Sequence, residues 1–348
     1  MMYKRKILVW ISLMGTALGC YFVYNFYVTF FWNNTVFEND YSYIFIDKDD
    51  SIDSLELQLS PLLKSTSNFR LAAEKKGYSQ NIKPGKYKIL KGLGNNEMIN
   101  LLRSKRQTVK VVFNNQERLE NLAGRVSKQI EADSLSLLNA FYDTEFLSSN
   151  GFTQKNALSL YLPNSYDFFW DTTAEDFRSK MLSYYKLFWN DTRRAKAKTL
   201  QLTPQEVYIL ASIVQKESPK KDEQARVAGA YVNRLKKRMK LQADPTVIFA
   251  VKKASGDFNQ VIRRVLYKDL RLKSPYNTYR VKGLPPGPIT MPDLSAIEAV
   301  LNPEKHSFLY FVADPTNPGY HLFAKNLLEH NRNKKIYINW INKKKIYR

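Results

Sequence analysis

Residues 211–223 read ASIVQKESPKKDE, and one carboxyl in them, Glu217, closes an apolar helical run just before Ser218, Pro219 and two lysines. An acid in that position has two possible uses. If the apolar side chains desolvate it, its pKa rises. The negative end of the helix dipole pushes the same way, and the group becomes a general acid near neutral pH. If it turns outward, it makes an ordinary surface ion pair with Lys220, Lys221 or Arg226. The helical pattern alone leaves both open.

Other polar groups follow. Asn233 and Arg234 interrupt an apolar helical pattern, and Asp244-Pro245 reads as a helix start or turn. SPYNTYRVKGLPPGPI at 274–289 brings Tyr276, Asn277 and Tyr279 beside a stiff Gly-Pro turn. Tyrosines with amides and hydroxyls suit sugar rings, which offer both an apolar face and hydroxyls; the same pattern also describes a structured loop with buried tyrosines. His321 follows a Gly-Tyr turn that could deliver it to a cleft. The three histidines lack metal-ligand spacing, and Cys20 is the single cysteine, so neither a metal nor an internal disulfide is expected.

The element that must position Glu217 is a helix over 203–217. Thr203-Pro204-Gln205-Glu206 is a capping box with proline at the first helical position. Val207, Leu210, Ala211 and Val214 then repeat at helical spacing, which puts Glu217 on the edge of the apolar stripe, with Gln215 and Lys216 pointing elsewhere. Helical patterns continue from about 174 to 240. SFLYFVAD at 307–314 reads as a strand, and the tail NKKIYINWINKKKIYR reads as a solvated terminal helix.

Upstream, residues 51–107 form a small α+β module. Helices are expected at SLELQLSPLL, at FRLAAEKKGY and over 95–103 with Asn95 as cap, and a strand is expected after Pro84-Gly85. Residues 33–50 read as a connector, and TVKVVF from Thr108 as a strand opening a larger α+β unit. At the N-terminus, Lys4, Arg5 and Lys6 precede an uncharged run over 7–32 with aromatics crowding its far end. Its length fits a bilayer span, and the flanking charge puts the N-terminus in the cytoplasm. The run is too long for a cleaved signal peptide, and Ala17-Leu18-Gly19 before Cys20 matches a lipoprotein signal poorly. The net charge of +22 points to an anionic partner such as lipid headgroups or an acidic polymer. No nucleic-acid-binding signature is present.

Several long stretches together resemble the endolytic murein transglycosylase (YceG-like) family: ILASIVQKES, VAGAYVNRL, LQADPTVIFA, SPYNTYRVKGLPPGPI, AIEAVLNPEKHSFLYFVAD and YHLFAKNLLEHN, in family order from about 209 to 331. YLPNSYDFFWDTTAEDF and IKPGKYKIL are similar to upstream family segments, the second to the lead-in of a LysM-like module. The resemblance implies an α+β protein with three parts: a cytoplasmic tip and transmembrane anchor over 1–34, a LysM-like module over 35–107, and a catalytic domain over 108–348. It implies a cofactor-free lyase on the outer side of the cytoplasmic (inner) membrane that cuts the bond between N-acetylmuramic acid and N-acetylglucosamine in peptidoglycan and leaves 1,6-anhydro ends. Glycan strands, the membrane and peptidoglycan synthases are the implied partners, and nucleic acid is not one. By motif position Glu217 is the catalytic acid, able to serve both proton steps because the nucleophile belongs to the substrate. A conventional hydrolase would need a second carboxylate, for which Asp244 and Glu223 are the available groups. Ser218, Asn233, Asp244, Tyr276, Asn277, Tyr279 and His321 are the expected sugar-binding positions. Gln215 stands where many members carry a glutamate, and Asn164-Ser165 departs from the family's Asp/Asn-Thr. A non-catalytic wall-binding scaffold is the competing reading.

Overall fold

The apolar run near the N-terminus becomes one helix, α1 (Met2–Phe30), in the computed structural model, which describes residues 2–343. Met1 of the expected cytoplasmic tip and residues 344–348 of the expected tail lie outside the described residues. At 1.5 Å per residue, the 29 residues of α1 extend about 43 Å. The segment Tyr3–Phe30 is long and apolar enough to cross a membrane, and its large apolar side chains are exposed on all sides.

The chain divides into two units. The first runs to Val111 and adds Lys128–Ala132 and Tyr166–Thr173. Here β1 (Tyr41–Ile46) pairs antiparallel with β2 (Gly85–Leu90), from Tyr41↔Leu90 to Ile46↔Gly85. Strand side chains alternate, so Ile44, Ile46, Tyr87 and Ile89 turn inward. They meet Leu55 and Leu59 of α2 (Ile52–Leu59), Phe69 of α3 (Thr66–Lys75), and Met98, Ile99 and Leu102 of α4 (Asn95–Ser104) in one core. β3 (Thr108–Phe113) and β4 (Asn164–Phe169) form a separate two-stranded sheet.

Two local expectations change. Residues 33–50 are not a plain connector, because YSYIFI finds its partner strand some forty residues later. Asn34 is also buried there, donating to Ser65 O and Asn95 Oδ1, both at 2.8 Å. Asn95 does not cap α4; Gly94 stands at that position, and the buried Asn95 amide donates to Thr29 O at 2.7 Å. A long-range acceptor outcompetes the local one.

The second unit comprises Val112–Ser127, Asp133–Ser165 and the chain from Ala174 onward. Its helices are α5 (Leu119–Val126), α6 (Ser134–Tyr142), α7 (Thr144–Ser149), α8 (Ala174–Phe188), α9 (Asp191–Thr199), α10 (Pro204–Glu217), α11 (Lys221–Lys236), α12 (Asp244–Ser255), α13 (Tyr267–Leu270), α14 (Leu294–Leu301) and α15 (Leu327–Lys343). β5 (Tyr310–Ala313) and β6 (His321–Ala324) form an antiparallel hairpin, with Ala313 opposite His321. The expected strand over 307–314 is therefore shorter at its start.

α10 is the centre of this unit and packs against α11, α12 and α14. Eight consecutive residues, Val207–Val214, are buried. The expected stripe is thus a sheath on every side of the helix. Each large aliphatic there contributes about 1.5–3 kcal/mol by burial. Ser212 Oγ accepts the backbone N–H of Ile289 in the Gly-Pro loop at 3.1 Å, tying that loop to α10. Gly287 in the same loop lets two backbones meet: a Cβ built on it would fall 1.8 Å from Lys155 O. Backbone cannot yield as a side-chain tip can, so Gly287→Ala is expected to lower stability by about 3 kcal/mol or more. Chemical denaturation of wild type and variant measures the difference.

Candidate active site

Glu217 is the last residue of α10, and Ser218 follows in extended conformation as the C-cap. The half-buried carboxyl accepts a 2.6 Å hydrogen bond from the hydroxyl of Tyr231, a buried residue of α11. The surface ion pair left open by the sequence does not form with Arg226, which binds Glu304, and Lys220 lies over the Tyr320 ring. Burial is the main cause that pushes the Glu217 carboxyl up to about 7. The Tyr231 hydrogen bond opposes this, the nearby Asp244 charge adds to it, and Arg234 opposes it. At pH 7 roughly half of these carboxyls hold their proton, whereas an unperturbed glutamate would be almost wholly ionised.

A cavity of about 270 Å³ opens beside it, lined by Glu217, Tyr231, Arg234, Asp244, Tyr279 and His321, with Gln242, Phe311 and Tyr337 among the rest. That is just under the usual range for small-ligand sites, ~300–1,000 Å³, and suits one ring rather than a strand. Clefts of about 600, 580 and 800 Å³ also exist in this unit. Their carboxylates are otherwise engaged: Glu206 caps α10, Glu304 pairs with Arg226 and Glu117 with Lys252. The smaller cavity is the one that holds the raised acid.

The expected site residues separate into two groups. Glu217, Asp244, Tyr279 and His321 come together at the cavity. Asp244 starts α12 and accepts the Tyr279 hydroxyl at 2.6 Å. That contact and burial together raise the Tyr279 pKa, with burial the larger cause. His321 opens β6, and its Nδ1 lies 2.8 Å from Glu223 Oε2.

Ser218, Asn233, Tyr276 and Asn277 do not line the cavity. Ser218 is fully buried and donates to Glu223 Oε2 at 3.1 Å. Asn233 donates to His306 O at 2.8 Å and Phe308 O at 3.1 Å, holding the lead into β5. Gly229, a turn earlier, permits that approach, since a Cβ there would sit 2.5 Å from Glu304 O. The buried Asn277 amide donates to Leu270 O and Leu272 O and fixes the turn that presents Tyr279. Tyr276 packs on Phe249, with centroids 4.8 Å apart, and lines the 800 Å³ cleft instead. Gln215 is spent on structure as well: its amide bonds both the side chain and the backbone of Asp293 ahead of α14.

Sequence reasoning missed Tyr231, Gln242, Phe311 and Tyr337. Tyr231 did carry a signal, as the one large side chain after Ala228-Gly229-Ala230, on the same helical face as Arg234. Gln242 gave none. Its φ of 51° is in the left-handed region, which costs a non-glycine residue roughly 1–2 kcal/mol. Arg234 was noted without a role; it donates to Leu309 O at 2.5 Å and Leu241 O at 2.7 Å, so it positions the cavity floor. Among the described residues, no cluster of His, Cys, Asp or Glu is gathered as a metal-binding set.

Comparison with known proteins gives consistent relatives. The YceG-like family model matches residues 44–336. The endolytic murein transglycosylase of Bacillus subtilis is 31% identical over 305 residues, covering 83% of this chain and 82% of the relative. The protein of that name from Streptococcus pneumoniae is 37% identical over 142 residues, 41% of this chain and 25% of the relative. A YceG-like protein from Listeria monocytogenes of known crystal structure is 26% identical, with a TM-score of 0.56 and coverage of 85% of this chain and 99% of that one.

Proposed function

The chain belongs to the YceG-like family, and on that premise we propose that it is an endolytic murein transglycosylase, a lyase that cuts peptidoglycan glycan strands within the chain. The observation that carries this reading is a carboxyl held near pKa 7 by burial, opening on a cavity with hydroxyl, carboxylate and imidazole groups. Glu217 protonates the glycosidic oxygen between N-acetylmuramic acid and N-acetylglucosamine. The C1–O4 bond breaks as O4 takes that proton, the C6 hydroxyl of the muramic residue then attacks C1, the Glu217 carboxylate takes the O6 proton, and a 1,6-anhydro end forms with the acid restored. Tyr279, Asp244 and Tyr337 surround the bound ring. The proposal includes the domain plan: α1 as a membrane anchor with Lys4, Arg5 and Lys6 on the cytoplasmic side, residues 35–107 as a LysM-like module, and residues 108–348 as the catalytic domain. The synthases that polymerise glycan are proposed partners.

Mass spectrometry of the products tests the chemistry. Incubation of the purified chain with peptidoglycan should release fragments lighter by one water than hydrolytic ones. A hydrolase is the second reading, favoured by Asp244 lying in the same cavity as Glu217; it predicts reducing ends.

Tyr231 offers a further check. Its hydrogen bond to Glu217 lowers that carboxyl's pKa. Tyr231→Phe removes the donor while keeping the ring, so the pH at which activity falls should move upward by about one unit, the worth of one hydrogen bond to a charged group. A pH–rate profile of the variant against wild type measures this. An unchanged midpoint would show that the hydroxyl does not tune the acid.

A further inference from the structure

The cleft of about 800 Å³ is lined by residues of the second unit alone, and its size falls within the usual range of ligand sites. Its floor is a run of three rings. Phe258 lies 5.7 Å from Phe249, and Phe249 lies 4.8 Å from Tyr276, centroid to centroid. A cation stands over each end: the Arg118 guanidinium 4.1 Å above Phe258, and Lys253 Nζ 5.6 Å above Tyr276. Pro275, Pro286 and Pro288 stiffen the wall.

The charges at this cleft do not balance. Glu117 is bound by Lys252 at 3.1 Å, and Glu120 accepts the Tyr142 hydroxyl at 3.1 Å. Arg118 Nε is shut off from solvent and makes no hydrogen bond; the Glu120 carboxylate is 3.9 Å away. Lys155 and Lys253 are exposed, and among the described residues neither pairs with a carboxylate.

Helix α12 and the loop over 275–279 tie the cleft to the catalytic cavity. Asp244, at the start of α12, lines the cavity. Phe249 and Lys253 line the cleft five and nine residues later, ~8 and ~14 Å along the helix. In the loop, Tyr276 lines the cleft and Tyr279 the cavity.

We propose that the cleft is a subsite for the stem peptide of peptidoglycan, the short peptide carried by the muramic ring whose C1–O4 bond is cut. This rests on the transglycosylase reading above. Four extended residues reach about 14 Å, which matches the spacing along α12. Methyl groups and peptide planes pack on the rings and prolines, and the peptide's carboxylates take Arg118, Lys155 and Lys253 as partners. A strand without stems keeps only its lactyl carboxylates, held too close to the ring to cross to the cleft. A phosphate polymer would meet the charge but leave the apolar floor unused. The consequence is specificity: strands that carry free stem peptides are better substrates than strands without them.

Kinetics of the full chain in detergent on two substrates tests this: glycan strands with uncrosslinked stem peptides, and the same strands stripped of peptide by an amidase. Wild type should show a kcat/KM about tenfold higher on the peptide-bearing strands, the worth of one charge-assisted contact. Lys155→Glu with Lys253→Glu should bring that ratio close to one, and Lys155→Gln with Lys253→Gln should place it in between. Thermal melting checks folding; if the glutamate pair does not fold, the glutamine pair decides. Calorimetric titration with the free tetrapeptide (L-Ala, D-Glu, a diamino acid, D-Ala) gives a second reading, and the glutamate pair should weaken its binding by about tenfold or more. A wild-type ratio of one, or a folded glutamate pair that keeps the wild-type ratio, overturns the proposal and leaves the transglycosylase reading standing. Cleavage that leaves reducing ends overturns the lyase reading, and the ratio then still decides the subsite. If wild type cleaves neither substrate, the transglycosylase reading falls and the titration decides the subsite.

Discussion

Glu217→Gln should lower turnover by about 10²–10⁴-fold while leaving the protein folded. The amide keeps the shape of the carboxyl and can still accept the Tyr231 hydroxyl that now lies 2.6 Å from Oε1. What it lacks is the proton. General acid catalysis by a positioned group is worth ~10²–10⁴-fold, and the glycosidic oxygen is too poor a leaving group to depart without it. The expected result is a kcat lower by that factor, with strand binding retained. A Glu217→Gln protein with full activity would remove Glu217 from the mechanism. One that binds no peptidoglycan would mean the carboxyl serves binding instead.

The same carboxyl should write its titration into both rate and stability. Its pKa in the folded protein is about 7, raised from 4.5. Activity needs the protonated form, so kcat/KM should fall tenfold per pH unit above about 7, provided the substrate does not change. Stability follows from the same shift. Below about pH 4.5, Glu217 is protonated both folded and unfolded and makes no difference. Between 4.5 and 7 the unfolded chain ionises first, so unfolding releases a proton and becomes progressively favoured as pH rises. Above 7 the penalty is constant, with a ceiling of about 3 kcal/mol that the group's partial exposure reduces. Glu217→Gln should therefore match wild type at low pH and be more stable than it at pH 8. Melting curves of the pair across this range measure the gap, and a pH-independent difference would contradict a raised pKa.

The stability gain and the activity loss belong to one trade. Burying an acid at a helix end costs the fold, and the return is a proton available at neutral pH. The remaining apolar burial in α10 offsets that cost, since eight residues in a row are removed from solvent. This also explains why the helix is sheathed on all sides: a narrower apolar stripe would leave Glu217 at a wet edge.

Much of this was readable from the chain alone. The capping box at Thr203 and the apolar spacing after it determined the helix and set Glu217 at its end, because capping and periodicity are local properties. The length of the apolar N-terminal run determined α1 for the same reason. Tertiary structure decided what the local pattern could not. Strand β1 needed a partner some forty residues away, so YSYIFI passed for a connector. Asn95 carries a capping residue's side chain, yet Thr29 O claimed it. Asn233 and Asn277 have the polarity of sugar ligands, but buried carbonyls required their amides first. Tyr231 and Glu223 became part of the site only when α11 folded back along α10, placing a hydroxyl 14 residues from Glu217 in sequence within hydrogen-bond reach. Periodicity states which face of a helix is apolar; which distant group dries, bonds or charges a carboxyl on that face depends on contacts that form only when the helices pack.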